Sequence, residues 1–505
     1  MRELFMENIV CFGCGADGEA FASMVEGKVG ISYFLDNRQD LWGSKTVSGY
    51  HICQPSLKTC AGRKIIVTTT RYYQEIKKQL EDYGLQEGSA FETITDFLMK
   101  HDETGNDVKP QIFLRKRKNA DYKRIYKGLS RIENIGYEVY QNAVLLPLQK
   151  FDGDQTYFGR GGVVDELGSY VESSAVEGRV KGAYHYGSPA CIDRRVVYCG
   201  YLTDAAWGDF LTESVARCWY FQQNDQTVHS YIFITKRGAG VSVLAGNVRE
   251  FFRLLGMEDR IEIIDEPVKY REVVVPQMSY SIRHYYTEQY RKIFAAVTER
   301  AVQHRSSAYF PKVFLSRGNW TQNHTKYEFG NEMLDDFFCK NGFKILYPEA
   351  LSLTELICIL QSADIVASVS GSGAHNILFG KDGQKMIIID RTILNNEIQV
   401  EINKIKALDV THIDANLGFF PVGFGRGPFL YYMNSYFREY IKTNHLAAPA
   451  ETFQTKEYLC RNLGAFFQAY NRELLPEGGE ELIKDARTES LAEIERLLAD
   501  MEARP

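Results

Sequence analysis

Between Lys312 and about residue 415, short apolar runs alternate with stretches of helical periodicity, and few folds accommodate that rhythm. Residues 313–315, 344–347, 365–369 and 386–390 read as strands, while 331–341, 352–363 and a segment from about 373 read as helices. Strands joined by helices imply a parallel sheet covered by its crossovers, so a doubly wound α/β domain is expected. A less clean alternation runs from about 146 to 300, with strands at 196–201, 231–235 and 261–264 and helices at 209–222 and 243–256. A third, smaller α/β set fills residues 1–98, with strand signals at 9–12, 29–35 and 64–70.

The expected organisation is therefore a small module at 1–98, a linker and basic helix at 99–145, α/β lobes at 146–305 and 306–440, and C-terminal helices at 441–505. In the tail, Leu491, Ile494, Leu498 and Met501 recur at three- and four-residue spacing, an amphipathic helix that must bury one face. Of the 17 residues from Arg115 to Arg131, eight are basic. They read as a solvated helix face, with contact to an anionic membrane surface or polyanionic acceptor as the alternative.

The chain has 505 residues, 45% of them hydrophobic and 25% charged, which suits several globular domains and excludes a disordered or fibrous chain. A net charge of -6 argues against a dedicated nucleic-acid binder. The opening MRELFMENIVCFGCGADG lacks the order of a signal peptide, and no run approaches the roughly 18 to 20 apolar residues of a membrane span. A cytoplasmic protein is expected, with peripheral contact to the inner membrane through 115–131 left open. Ten scattered cysteines suit reduced thiols, so the sequons at Asn319 and Asn323 read as chance matches.

Gly13-Cys14-Gly15-Ala16-Asp17-Gly18 follows the first strand, and Asp36 ends the second, 18 residues beyond Gly18. Glycines let a backbone approach a phosphate at a helix N-terminus, and an acid can hold ribose hydroxyls. Gly13, Gly15, Gly18 and Asp36 are thus a candidate nucleotide site, with helix–strand packing as the plainer role. The opening and Phe34-Leu35-Asp36-Asn37 resemble the Rossmann-like nucleotide-sugar-binding domain of bacterial sugar O-acyltransferases. Hydride transfer at this loop is a third alternative. Cys11 and Cys14 form a C-x-x-C without a second pair, and Asp152-Gly153-Asp154 reads as a turn; neither is expected to hold a metal.

A second constellation lies in one expected sheet. Ser316-Arg317, Pro348-Glu349, Gly371-Ser372-Gly373-Ala374-His375-Asn376 and Asp390-Arg391 each follow a strand. The carboxyl ends of parallel strands share one edge, so these residues should face one crevice. A Gly-Ser-Gly turn opening a helix offers amides, and Arg317 offers a permanently charged fork, so the ligand should be anionic. Charged hydrogen bonds contribute roughly 1.5 to 3 kcal/mol each, enough to hold a phosphate without a metal.

Those residues, with Phe314-Leu315 before Ser316-Arg317, Asn331-Glu332, Gly342-Phe343, Leu353, Glu355, Ala363-Asp364 and Leu378-Phe379, resemble glycosyltransferase family 61 from Val313 to Asp390. Gly208-Asp209-Phe210-Leu211, Glu213 and Val274-Val275-Pro276 extend the likeness more loosely over about 190–430. The resemblance implies a GT-B pair of Rossmann-like lobes and an inverting, metal-independent transfer. A sugar would move from a nucleotide-diphosphate donor to a glycan acceptor hydroxyl, in surface polysaccharide (capsule) biosynthesis, without a cofactor. It assigns Arg317, Gly371, Ser372, Gly373, Ala374, His375 and Asn376 to the donor diphosphate, and Asn331, Glu332, Glu349 and Glu355 to its nucleoside or ribose. Inversion needs a base on the acceptor, for which Asp209 and Glu213 are the candidates. Family members often carry His where Asp209 stands, a basic residue near Lys326, and Gln where Leu356 stands. Those departures motivate the main alternative, a non-catalytic sugar-nucleotide sensor or scaffold.

Overall fold

The computed structural model describes residues 8–26, 29–69, 72–94, 96–97, 111–114, 116–150, 159–176, 179–203, 206–240, 244–303, 309–318, 327–392, 395–416 and 427–473. It divides into two compact units, Met1–Ser130 and Arg131–Pro505. The expected tail helix through Leu491, the Asp152 turn, Lys326 and both sequons lie outside the described residues.

The first unit contains β1 (Asn8–Phe12), α1 (Ala16–Val25), β2 (Gly30–Leu35), β3 (Ile52–Cys53), β4 (Lys64–Val67), α2 (Tyr73–Asp82), β5 (Phe91–Thr93) and α3 (Lys116–Gly128). Its strands are parallel in the order β3-β2-β1-β4-β5. Along β1, Ile9 and Cys11 join a cluster with Phe21 and Phe97, while Val10 and Phe12 join another with Ile76 and Leu80. Both faces of the sheet are covered, which is why its strands read as continuous apolar runs. The basic helix α3 packs on α1, and its Lys118 and Arg124 are buried rather than solvated. Arg124 Nη1 lies 3.5 Å from Asp17 of α1.

In the second unit the first sheet comprises β6 (Tyr137–Lys150), β7 (Gly159–Val164), β8 (Cys191–Tyr201), β9 (Ser230–Ile234), β10 (Ile261–Ile264) and β11 (Val268–Pro276). The order is β10-β9-β8-β11-β6-β7, parallel except for β6, which runs against both its neighbours β11 and β7. The segment reading as linker up to 145 thus contains the start of a long strand. Its first half, Tyr137 to Gln141, is largely exposed and shows no buried apolar alternation. The helices α4 (Trp207–Thr212), α5 (Gly246–Leu255) and α6 (Glu288–Gln303) accompany this sheet.

The second sheet takes β12 (Lys312–Leu315), β14 (Lys344–Leu346), β15 (Ile365–Val369), β16 (Lys385–Asp390) and β17 (Asp409–Asp414) in the parallel order β14-β12-β15-β16-β17. Around it lie α7 (Asn331–Lys340), α8 (Leu353–Ser362), α9 (Glu397–Ile405), α10 (Ser435–Thr443) and α11 (Lys456–Glu473). A separate short parallel pair joins β13 (Glu328–Phe329) to β18 (Phe429–Leu430). The expected mixed α/β class with parallel sheets is what the chain forms, and among the described residues no helix is long and apolar enough to cross a membrane.

The elements of the two sheets are packed together. Phe379, beyond β15, meets Phe294 of α6 at 5.3 Å and Phe251 of α5 at 6.2 Å between ring centroids. Glu250 of α5 accepts from Leu353 N (2.9 Å), Thr354 N (3.1 Å) and Thr354 Oγ1 (2.6 Å), so a carboxylate from one half caps the α8 N-terminus in the other. Tyr280, after β11, donates to the buried Glu401 of α9, which also accepts from Arg283 N at 2.7 Å.

Candidate functional site

β8 ends at Tyr201, and the chain turns directly into α4, whose first turn carries Asp209. Glu213 closes that short helix, its N–H donating to Asp209 O at 2.7 Å. One guanidinium binds both side chains: Arg179 donates from Nη2 to Asp209 and from Nε to Glu213. The Asp209 side chain remains 36% exposed, whereas Glu213 is 13% exposed, so Asp209 is the carboxylate an acceptor can reach. Burial pushes the Glu213 carboxyl up to about 7; the Asp209 charge adds to the rise, and Arg179 opposes it.

On the second sheet, β15 runs into a turn at Gly371, whose φ of +140° suits glycine. The segment expected to continue as a helix from about 373 is a six-residue 3₁₀ stretch, Ala374–Phe379. Its few peptides are too short to build the macrodipole expected for a phosphate-binding helix start, so that part of the electrostatic argument falls. Asn376 is committed to internal bonds, accepting from Trp207 Nε1 at 2.7 Å and donating to Gly373 O at 3.0 Å. His375 is buried, with Nε2 3.4 Å from Asn396 Nδ2 and with Nδ1 lacking a hydrogen-bond partner among the described residues. Burial, and next the charge of Arg391, hold its pKa down to about 3, so its imidazole is neutral and brings no positive charge to a phosphate.

These two edges meet. A β-carbon on Gly208 would stand 3.1 Å from both His375 Nδ1 and Ser372 Cβ, so α4 packs closely on the turn and a side chain there would press the two apart by a few tenths of an ångström. Gly208, the residue before Asp209, therefore packs directly on the turn after β15.

Arg317, immediately beyond β12, donates from Nε to Glu328 Oε1 at 2.7 Å, and its side chain is 12% exposed. The same oxygen accepts from Arg391 Nη1 at 2.9 Å, while Glu328 Oε2 accepts from Tyr431 at 2.9 Å. Glu328 belongs to the two-residue strand β13, and Arg179 to an irregular stretch beyond β7. Neither lies in a periodic segment, and no pattern in the sequence marks either.

The four residues expected at the nucleoside lie apart in role. Asn331 is buried and donates to Glu328 O at 3.2 Å, while Glu332 is exposed in the first turn of α7. Glu349 is exposed in a 3₁₀ turn after β14. Glu355 closes a capping box at the start of α8, accepting from Ser352 N at 2.9 Å and Ser352 Oγ at 2.8 Å.

In the first unit, Gly13 has φ +112° and lies at the turn after β1, while a β-carbon on Gly18 would stand 2.2 Å from Gly13 O. Gly18 is thus needed for α1 to pack on the turn, and Gly15 faces open space. Asp36 accepts from Cys14 N (3.1 Å), Cys14 Sγ (3.0 Å), Arg38 N (3.0 Å) and Arg38 Nε (3.1 Å). Burial would raise its pKa, but the bonds from Arg38 and Cys14 outweigh this and hold the carboxyl down to about 2. A ribose at this acid would have to displace Arg38.

Residues 207–387 match the family model described as Glycosyltransferase 61, which covers Asp209, Glu213, Arg317 and the 371–376 turn. Residues 5–90 match the model described as C2185-like, N-terminal. No curated protein gives a significant match to the chain. The first of these matches supports a glycosyltransferase acting on a donor and an acceptor.

Proposed function

We propose that this chain is an inverting glycosyltransferase of GT-B arrangement that moves a sugar from a nucleotide-diphosphate donor to a glycan hydroxyl in surface polysaccharide biosynthesis. The division into an acceptor lobe at 146–305 and a donor lobe at 306–440 belongs to the same reading. The observation that carries it is the approach of Gly208 to Ser372 and His375, which sets a carboxylate pair beside a turn flanked by guanidinium groups. Asp209, partly exposed, takes the proton of the acceptor hydroxyl, and Glu213 positions Arg179 against it. The diphosphate leaves toward Arg317 and the backbone of Gly371 to Gly373. Asn376 shapes that turn through its bonds to Trp207 and Gly373, and His375 brings no positive charge to the phosphate. The first unit is an accessory module in which Gly18 serves helix packing and Arg38 holds Asp36, and the enzyme works in the cytoplasm.

The test is transfer from a panel of nucleotide sugars to glycan acceptors, with the anomeric configuration of the product read by NMR. Retained configuration would exclude the inverting displacement, and unchanged turnover in Arg317→Ala would exclude the phosphate role. A non-catalytic sugar-nucleotide sensor has one observation in its favour, the clamping of both candidate bases by Arg179. Donor binding without turnover across all acceptors would decide for it.

A further inference from the structure

We propose that Arg391 is a second guanidinium for the donor diphosphate, held beside the Gly371 turn by Glu328 and Phe429. This rests on the glycosyltransferase reading and gives a role to a residue that the strand order brings to the same edge but to which the family likeness assigned none. Arg391 directly follows β16, the neighbour of β15 in the sheet, so it emerges on the same edge as the turn. The bare α-carbon of Gly371 makes room for it: a β-carbon there would stand 2.7 Å from Nη2 and 3.1 Å from Cζ.

Two contacts fix the plane of the group, and a third holds its partner. Nη1 donates to Glu328 Oε1 at 2.9 Å, the guanidinium carbon sits 4.1 Å from the centroid of Phe429, and Glu328 is itself anchored by Tyr431. Among the described residues this is the guanidinium's one hydrogen bond, although it carries five N–H donors. A purely structural arginine would be expected to spend its fork on the carboxylate in two parallel bonds. Here a single bond is made, and Nη2 faces the turn instead. Arg317 donates to the same Glu328 oxygen, so two guanidinium groups from the strands on either side of β15 are tethered to one atom. Their mutual repulsion is relieved when a dianion enters between them and the turn. The field of Arg391 already reaches that turn, since its charge helps to keep His375 neutral.

The test titrates the full chain with UDP, GDP and ADP, and with the matching nucleosides, by calorimetry. Arg391→Ala should weaken binding of the preferred nucleoside diphosphate by about 10-fold or more while leaving its nucleoside unchanged. Arg391→Lys, which keeps the charge but loses the fork, should fall between the two. Gly371→Ala, which displaces the guanidinium without removing it, should weaken the diphosphate similarly and serves if the arginine variants melt early. If Arg317→Ala weakens the diphosphate and all three other variants bind as the wild type does, Arg391 has no such role and the glycosyltransferase reading survives. Equal loss of nucleoside and nucleoside diphosphate would mean a structural arginine and would overturn the inference. No binding of any nucleoside diphosphate or nucleotide sugar by the wild type would overturn the reading beneath it.

Discussion

Gly208 and His375 are packed tightly together: a β-carbon on Gly208 would lie 3.1 Å from the imidazole Nδ1, closer than an unstrained contact allows. Gly208→Val should therefore push α4 off the 371–376 turn and destabilise the second unit by about 1 to 3 kcal/mol, as overpacking commonly does. Transfer should fall further than stability, because Asp209 rides on the same helix. Thermal melting and steady-state kinetics on one sample separate the two, and a wild-type kcat in a folded Gly208→Val protein would contradict the proposed site.

Asp209→Asn should lower kcat by about 100-fold or more, the low end for loss of a general base, with donor affinity unchanged. Glu213→Gln should cost less, because burial already favours its protonated form below about pH 7, and should alter the pH–rate profile around neutrality. Equal losses with identical profiles would contradict this division of labour.

Glu401 lies buried beneath Tyr280, and burial pushes its carboxyl up to about 7. A carboxyl whose pKa is higher folded than unfolded binds its proton more tightly in the native state. Its contribution is complete below its ordinary value near 4.5 and is lost as pH rises through about 7. Glu401→Gln, neutral throughout and able to accept from Arg283 N while its amide donates to the Tyr280 hydroxyl, should thus gain melting temperature over wild type at pH 8 relative to pH 5. Parallel melting curves across that range would remove Glu401 as the cause.

Trp207 Nε1 is the donor to Asn376 Oδ1 at 2.7 Å. Trp207→Phe can keep the ring stacked on Phe210 but strands a buried amide oxygen, and should cost about 1 to 3 kcal/mol. Denaturant unfolding measures it, and the double variant with Asn376→Leu should recover part of the loss.

The strands were legible because they are buried on both faces and therefore read as continuous apolar runs, as at 365–369 and 386–390. Given parallel strands, the convergence of Arg317, Gly371 and Arg391 follows from topology. Arg179 and Glu328 could not be read in the same way. They lie outside periodic segments, and only the return of the chain brings Arg179 to Asp209, 30 residues away, and Glu328 to Arg391, 63 residues away. The helix expected from 373 is cut short at Gly380, where a β-carbon would stand 2.4 Å from Gln384 Oε1. That closure depends on a contact across the following turn rather than on helix propensity. Glu355 is the reverse case: Ser352-Leu353-Thr354-Glu355 spells a capping box in plain sequence, and family likeness drew it toward the donor instead.

The carboxylate of Glu250 seated on the first amides of α8 has a consequence for ancestry as well as for mechanics. Cut apart, one half would keep an orphaned acid and naked aromatic rings, and the other a helix start with the Leu353 and Thr354 amides left bare, so neither is a tradable part. New sugar preferences in relatives of this chain should accordingly arise by remodelling the rim around a common frame, not by shuffling halves between genes.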